Sequence, residues 1–177
     1  MNGNDLRQVM RSFATGVCVI TTCRNGPDGR RHDAMTANSL QSLSLDPPLV
    51  SLSFARDSRF LADLLASHVW AVSILGEGQE ELARQFARGR AAREGDVTTL
   101  VTGTGPRTGA AVVGSASWLE CVYTSHLDVG DHVLVIGEVV AVDATANTEP
   151  LIFVHGTYHS LGKATRQEKG TPAAAFR

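Results

Sequence analysis

Apolar residues along this chain recur with two different periods. Leu6, Val9, Met10 and Phe13 follow the i, i+3, i+4, i+7 spacing of one helical face, which predicts a helix over Asp5 to Phe13 with Asn4 as its cap and Gly16 beyond its end. From Val17 to Cys23 the residues are β-branched and apolar, and Arg24 to Gly29 are turn formers, so the pair predicts a hairpin. A third strand is expected over Leu49 to Phe54. Ser58 then caps a short helix with Phe60, Leu61, Leu64 and Leu65 on one side. Val69 to Leu75 predicts a fourth strand. Glu77 to Arg88 is the clearest amphipathic helix, with Leu82, Ala83, Phe86 and Ala87 inward, acidic residues in its first turn and Gly89 as its stop.

Periodicity then fades. Arg90 to Gly114 is rich in Gly, Thr, Ala and Arg and reads as a long excursion that covers or borders a site. Two long strands follow, Ala116 to Leu127 and His132 to Val142, joined by Asp128 to Asp131; Leu151 to Val154 and Thr157 to Leu161 complete the fold. Residues 1–163 make one domain, and the polar, alanine-rich tail 164–177 is expected to be disordered. About eight strands with three short helices suggest a mainly β, small antiparallel barrel. Barrels of that size fill their interior with side chains, so a ligand larger than one ring belongs on the outer wall or at a subunit junction.

Composition narrows the class. With 177 residues, 43% hydrophobic and 19% charged, the chain can bury a real core, and no apolar run approaches the roughly 20 residues of a membrane helix. The start has neither the basic residues nor the apolar block of a secretory signal, so a cytoplasmic location is expected. A net charge of −2 gives no broad attraction for nucleic acid; the one basic cluster is Arg84, Arg88, Arg90 and Arg93. Cys18, Cys23 and Cys121 form no CxxC pair and read as buried thiols.

Asp33-Ala34-Met35-Thr36-Ala37-Asn38-Ser39-Leu40 sets small hydroxyl and amide side chains between apolar residues and reads as a binding loop. Thr36, Asn38 and Ser39 offer hydroxyl and amide groups, free backbone N–H groups in a loop can face an anionic or ring-shaped ligand, and Ala37 lets a flat group lie close. A polar turn between strands answers the same pattern. Gly103 to Gly109 misses the dinucleotide fingerprint by one residue and contains Pro106, so it is assigned to a loop. His155 and His159 lack a helix and a carboxylate at ligand spacing, and no metal is expected. Gly130-Asp131-His132 holds a histidine at the first residue of a strand, where it either reaches a cleft or simply follows a hairpin turn.

Taken in order, Phe13-Ala14-Thr15-Gly16-Val17, Met35 to Ser39, Ser42 to Leu49, Leu82 to Ala87, Trp118-Leu119-Glu120-Cys121, Gly130-Asp131-His132 and Ile136-Gly137-Glu138-Val139 resemble the flavin reductase-like family of the FMN-binding split barrels. The match covers Met10 to Leu161. The resemblance implies an antiparallel split β-barrel of Greek-key type with a few short flanking helices, forming a homodimer. It implies an NAD(P)H:flavin oxidoreductase that passes hydride from NADH or NADPH to FAD or FMN and supplies diffusible reduced flavin to a partner monooxygenase. Carried over, Met35, Thr36, Ala37, Asn38 and Ser39 run along the flavin ring and ribityl chain. Ser53, Phe54 and Ala55 border them, Ser58 and Arg59 approach the phosphate, and Arg88 and Arg90 meet phosphate or adenosine. His132, Tyr158 and His159 face the nicotinamide, with His132 positioning it. Side chains do little in such a transfer beyond setting distance and electrostatics. Two rival readings are an FMN-retaining electron carrier or flavin-binding protein, and a split-barrel oxidase of the pyridoxamine phosphate oxidase type; the latter lacks a basic cluster here for a pyridoxal phosphate.

Overall fold

The computed structural model describes residues 3–161 except 28, 94, 115–116 and 145–147; the tail expected to be disordered lies outside the described residues. Chain order begins with α1 (Gly3–Met10), β1 (Thr15–Gly16), β2 (Cys18–Gly26) and β3 (Gly29–Ala37). β4 (Gln41–Leu45) and β5 (Pro48–Ala55) follow, then α2 (Arg59–Ser67) and β6 (Val69–Ile74). Next come α3 (Glu80–Phe86), α4 (Arg90–Arg93), α5 (Asp96–Leu100), β7 (Val101–Thr104) and β8 (Ala111–Val113). The chain closes with β9 (Ser117–Val129), β10 (His132–Ala144), β11 (Leu151–Val154) and β12 (Thr157–Ser160).

The fold is mainly β and every ladder is antiparallel. A seven-stranded sheet has the order β3-β2-β6-β9-β10-β5-β4, a three-stranded sheet the order β1-β11-β12, and β7 pairs with β8. Its two edges, β3 and β4, are consecutive in the chain and joined only by Asn38, Ser39 and Leu40. Four Cα steps reach at most about 14 Å, whereas seven flat strands would set their edges about 29 Å apart. The sheet therefore curls on itself.

The concave side holds Cys18, Ile20, Val50, Leu52, Phe54, Trp70, Val72, Cys121, Val133 and Val135, with Phe60, Leu61 and Leu64 of α2 packed among them. Alternation along β2 sends Val19 the other way, into a second cluster with Ala34, Leu75, Ala83 and Phe86 beneath α3. Both faces of β2 are covered, which is why its sequence reads as a continuous apolar run. The interior is filled rather than hollow: Trp70 is fully buried and its indole lies against Gly137, where any Cβ would overlap the ring.

Two expectations are corrected. Residues Asp33 to Ala37 are strand, not loop, because they pair in register with β2 from Thr22↔Asp33 to Cys18↔Ala37; only Asn38 to Leu40 remain as a link. The stretch Arg90 to Gly114 is organised into α4, α5 and the β7–β8 hairpin, because buried carboxylates satisfy its polar groups. Arg93 and Arg90 meet Asp33 at 3.3 and 3.6 Å, and Arg90 meets Asp63 at 2.7 Å. Glu120, fully buried in β9, accepts from the backbone N–H groups of Arg107 and Thr108 at 3.1 and 2.8 Å and from the Thr108 hydroxyl. The glycine-rich segment is thus the turn of a hairpin riding on a carboxylate. Ser58 does cap α2, accepting from the Leu61 N–H.

Gly137→Ala is expected to cost about 1–3 kcal/mol as overpacking against Trp70, whereas Gly103→Ala, which meets nothing within 4 Å, should cost far less; urea melts compare them. Burial pushes the Cys18 and Cys121 thiols from 9.0 up to about 12, Glu120 adding to the second. Both folded values lie above the unfolded one, so this contribution is whole below pH 9 and is lost as pH rises from 9 toward 12. Thermal melts between pH 8 and 11 should fall more steeply for the wild type than for the Cys18→Ala, Cys121→Ala double variant.

Candidate functional site

The link that forces the sheet to curl is also where its polar groups gather. Ser39 is fixed by Ser53: its hydroxyl accepts from the Ser53 N–H at 3.1 Å and donates to the Ser53 carbonyl at 3.3 Å. Asn38 is exposed, its amide 3.3 Å from the Thr15 hydroxyl. Two residues beyond Ser53, Ala55 pairs with His132 across β5 and β10. Asn38, Ser39, Ser53, Ala55 and His132 therefore follow one rim of the sheet.

Beside this rim lies an open groove of about 930 Å³, near the top of the range for small-molecule sites. Its walls are Arg7, Met10, Arg11 and Phe13 from α1 and the turn after it, Thr15 and Gly16 of β1, Asn38 to Gln41, Ile74, and Phe153 to Gly156. The apolar face of α1 buries nothing against the protein: Leu6, Val9, Met10 and Phe13 are each at least 51% exposed. Met10 and Phe13 instead present their surface to the groove.

Several other expected residues sit elsewhere. The Thr36 hydroxyl donates to the Ala83 carbonyl at 2.7 Å, fastening β3 to α3, and Met35 and Ala37 pack on the concave core. Phe54 is buried and stacked on Phe60 at 5.7 Å, since its place in β5 points it inward. Arg90 is occupied by Asp33 and Asp63, a structural ion network that replaces its expected role at a phosphate. Arg88 and Arg59 are exposed, and Ser58 is committed to its helix cap. Tyr158 packs on Phe153 with the Arg84 guanidinium 5.0 Å over its ring; burial raises its pKa, opposed by Arg84. His159 bonds the Thr157 hydroxyl at 2.7 Å. The groove residues Arg7 and Arg11 and the β11–β12 turn carry no sequence motif of a site; their one signal is the apolar stripe beside them, Leu6, Val9, Met10 and Phe13.

A family model described as flavin reductase like domain matches residues 10–162. The chain belongs to the flavin reductase-like family. It is 36% identical over 155 residues to an NADH-dependent FAD reductase of Streptomyces globisporus, covering 86% of this chain and 82% of that one. It is equally similar, over 161 residues, to an NADH:FMN oxidoreductase of Rhodococcus qingshengii, covering 88% and 80%. Among solved structures, the NADH:FAD oxidoreductase of Streptomyces globisporus in complex with NAD and FAD fragments superposes with a TM-score of 0.82 at 32% identity, covering 92% of this chain and 94% of that one. The styrene monooxygenase flavin reductase of Pseudomonas putida does so with a TM-score of 0.72 at 30% identity, covering 89% and 97%.

The flavin reductase groove fits a flavin on its own chemistry. Its lining combines exposed apolar surface on Met10 and Phe13 and the half-buried Phe153 with the amide and hydroxyl groups of Asn38, Ser39 and Gln41. A conjugated ring with polar edges needs both.

His132 is oriented by its neighbour. The Asp131 carboxylate lies 2.8 Å from His132 Nδ1, leaving Nε2 outward. That hydrogen bond and the imidazole's charge hold the Asp131 carboxyl below its ordinary 3.8, with weaker help from its own backbone and Arg7. A lowered folded value means the contact stabilises above pH 3.8 and is lost as pH falls through that lowered value. A carboxyl NMR titration should give Asp131 a lower midpoint in the wild type than in His132→Ala.

Proposed function

We propose that this protein is an NADH-dependent flavin reductase that delivers reduced FAD or FMN to a partner monooxygenase. The observation that carries the reading is the open groove beside the seam of the sheet, whose lining joins apolar side chains to amide and hydroxyl groups. It occurs in a chain similar to proteins named NADH-dependent FAD reductase, NADH:FMN oxidoreductase, the reductase component of a trigonelline monooxygenase and the flavin reductase of a styrene monooxygenase. We further infer that the curled seven-stranded sheet is the wall of a split barrel within a single domain. The chain would act as a homodimer in the cytoplasm, where the nicotinamide pool resides; among described residues no helix is long and apolar enough to cross a membrane.

Lined by Phe13, Phe153, Asn38 and Ser39, the groove would hold a flavin, which would supply the hydride-accepting chemistry. The chain supplies a surface. Phe13, Met10 and Phe153 offer apolar area to the ring, and Asn38 and Ser39, held by the Ser53 backbone, offer polar contacts along its edge. His132, kept in one orientation by Asp131, positions the nicotinamide without serving as an obligatory proton donor. Openness of the groove suits a flavin that enters as substrate and leaves reduced.

Mixed anaerobically with NADH and excess FAD or FMN, the protein should bleach many flavins per subunit; bleaching that stops after one per subunit marks a carrier instead. His132→Ala should raise KM for NADH with kcat changed less, measured under the same conditions. Normal NADH affinity with turnover abolished would show that His132 takes part in the chemistry.

A further inference from the structure

The charged and titratable side chains lining the groove are Arg7, Arg11, His155 and the buried thiol Cys18, and no carboxylate is among them. The Arg11 N–H donates to the Arg7 carbonyl at 3.1 Å, continuing the helical turn past Met10 and setting the two guanidiniums on one face. Both arginines also line an adjoining cavity of about 350 Å³ with Asn4 and Gln8. Groove and side cavity thus meet at a pair of cations.

Arg11 is clasped to the β11–β12 turn. Its Nη2 donates to the His155 carbonyl at 2.9 Å, and its own carbonyl accepts from the His155 N–H at 2.8 Å. His155 has φ 54° and Gly156 φ 83°, a left-handed pair of which the first is unfavourable for a residue with a side chain. That backbone presents the carbonyl holding Arg11. The Arg7 carbonyl accepts from Arg11, while its guanidinium is exposed and its charge is felt at the Asp131 carboxylate. Arg90, the arginine expected at a phosphate, is by contrast committed to Asp33 and Asp63.

We propose that Arg7 and Arg11 form a seat for the phosphate or pyrophosphate tail of a ligand whose ring lies against Phe13, Ile74 and Phe153. The proposal rests on the flavin reductase reading and locates its anionic end on α1. Guanidinium forks match phosphate oxygens bidentately, and a groove wall without carboxylates leaves an anion no better partner. Three ligands share that chemistry: FMN carries one phosphate, and FAD and NADH each carry a pyrophosphate.

Dissociation constants separate them. Quenching of flavin fluorescence gives Kd for riboflavin, FMN and FAD, and calorimetry gives Kd for NADH, in the wild type, Arg7→Gln, Arg7→Lys and Arg11→Gln. Loss of a charge-assisted phosphate contact should raise Kd about tenfold or more for at least one phosphate-bearing ligand while leaving riboflavin within about twofold. Arg7→Lys should recover part of that loss. The ligand affected identifies the source: FMN and FAD together for the flavin phosphate, FAD alone for its pyrophosphate, NADH alone for the nicotinamide dinucleotide. Unchanged constants in both glutamine variants overturn the seat and leave the reductase reading intact, as does a rise that is equal for riboflavin and the phosphorylated ligands, which would report only misplacement of α1. A wild type that binds none of the four ligands overturns both readings.

Discussion

Asn38, Ser39 and Leu40 are three residues asked to connect strands that a flat sheet would hold twice as far apart as they can reach, and the remainder of the molecule accommodates that demand. Curling the sheet creates an enclosed apolar side, and Trp70, Leu52, Val72 and Cys121 fill it to zero exposure. It also leaves a seam where the link runs without ladder partners of its own. The bonds between Ser39 and the Ser53 backbone hold the link down there. Backbone and side-chain polar groups that a continuous sheet would consume are consequently concentrated at that seam, next to the groove.

Charge in this protein divides into two populations with different tasks. Asp33, Asp63 and Glu120 are buried carboxylates, each met by guanidinium or N–H donors, and together they fasten α4 and the β7–β8 hairpin to the sheet. Removing one partner of such a buried pair strands the other charge, which costs about 3–5 kcal/mol, so these contacts constrain structure strongly whatever their net contribution. Arg7, Arg11, Arg59 and Arg88 are exposed, and of these Arg11 is held by the His155 carbonyl. Sequence position does not distinguish the two populations. Arg90 sits in the most basic stretch of the chain yet is neutralised by carboxylates 57 and 27 positions away, a pairing that only the tertiary structure creates.

The same logic explains what was legible beforehand. Strands β2, β5, β6, β9 and β10 and helices α2 and α3 announce themselves because period and turn chemistry are local properties. The boundary at Ala37 was misplaced because Thr36, Asn38 and Ser39 look alike as polar residues. Register with Cys18 and Val19 makes the first of them a strand residue that donates to Ala83, and leaves the other two outside the ladder. Phe54 was assigned to the site by resemblance, but alternation along β5 sends it into the core with Phe60. The α1 wall escaped notice for the opposite reason. An apolar stripe normally signals burial, and here all four of its residues are exposed, with Met10 and Phe13 lining an open groove.

That inversion has an energetic consequence. α1 buries none of its residues, and just past its end Arg11 exchanges hydrogen bonds with His155, so little apolar packing fixes its position. A ring covering Met10 and Phe13 removes apolar surface from water at about 25 cal/mol per Å², and that gain is shared between binding the ring and holding α1 in place. Stacking affinity is therefore lower than the contact area alone would give, because part of it orders the helix. For a carrier that must retain its flavin this would be a defect; for a reductase that must release its product it allows a large, specific contact surface to coexist with rapid exchange.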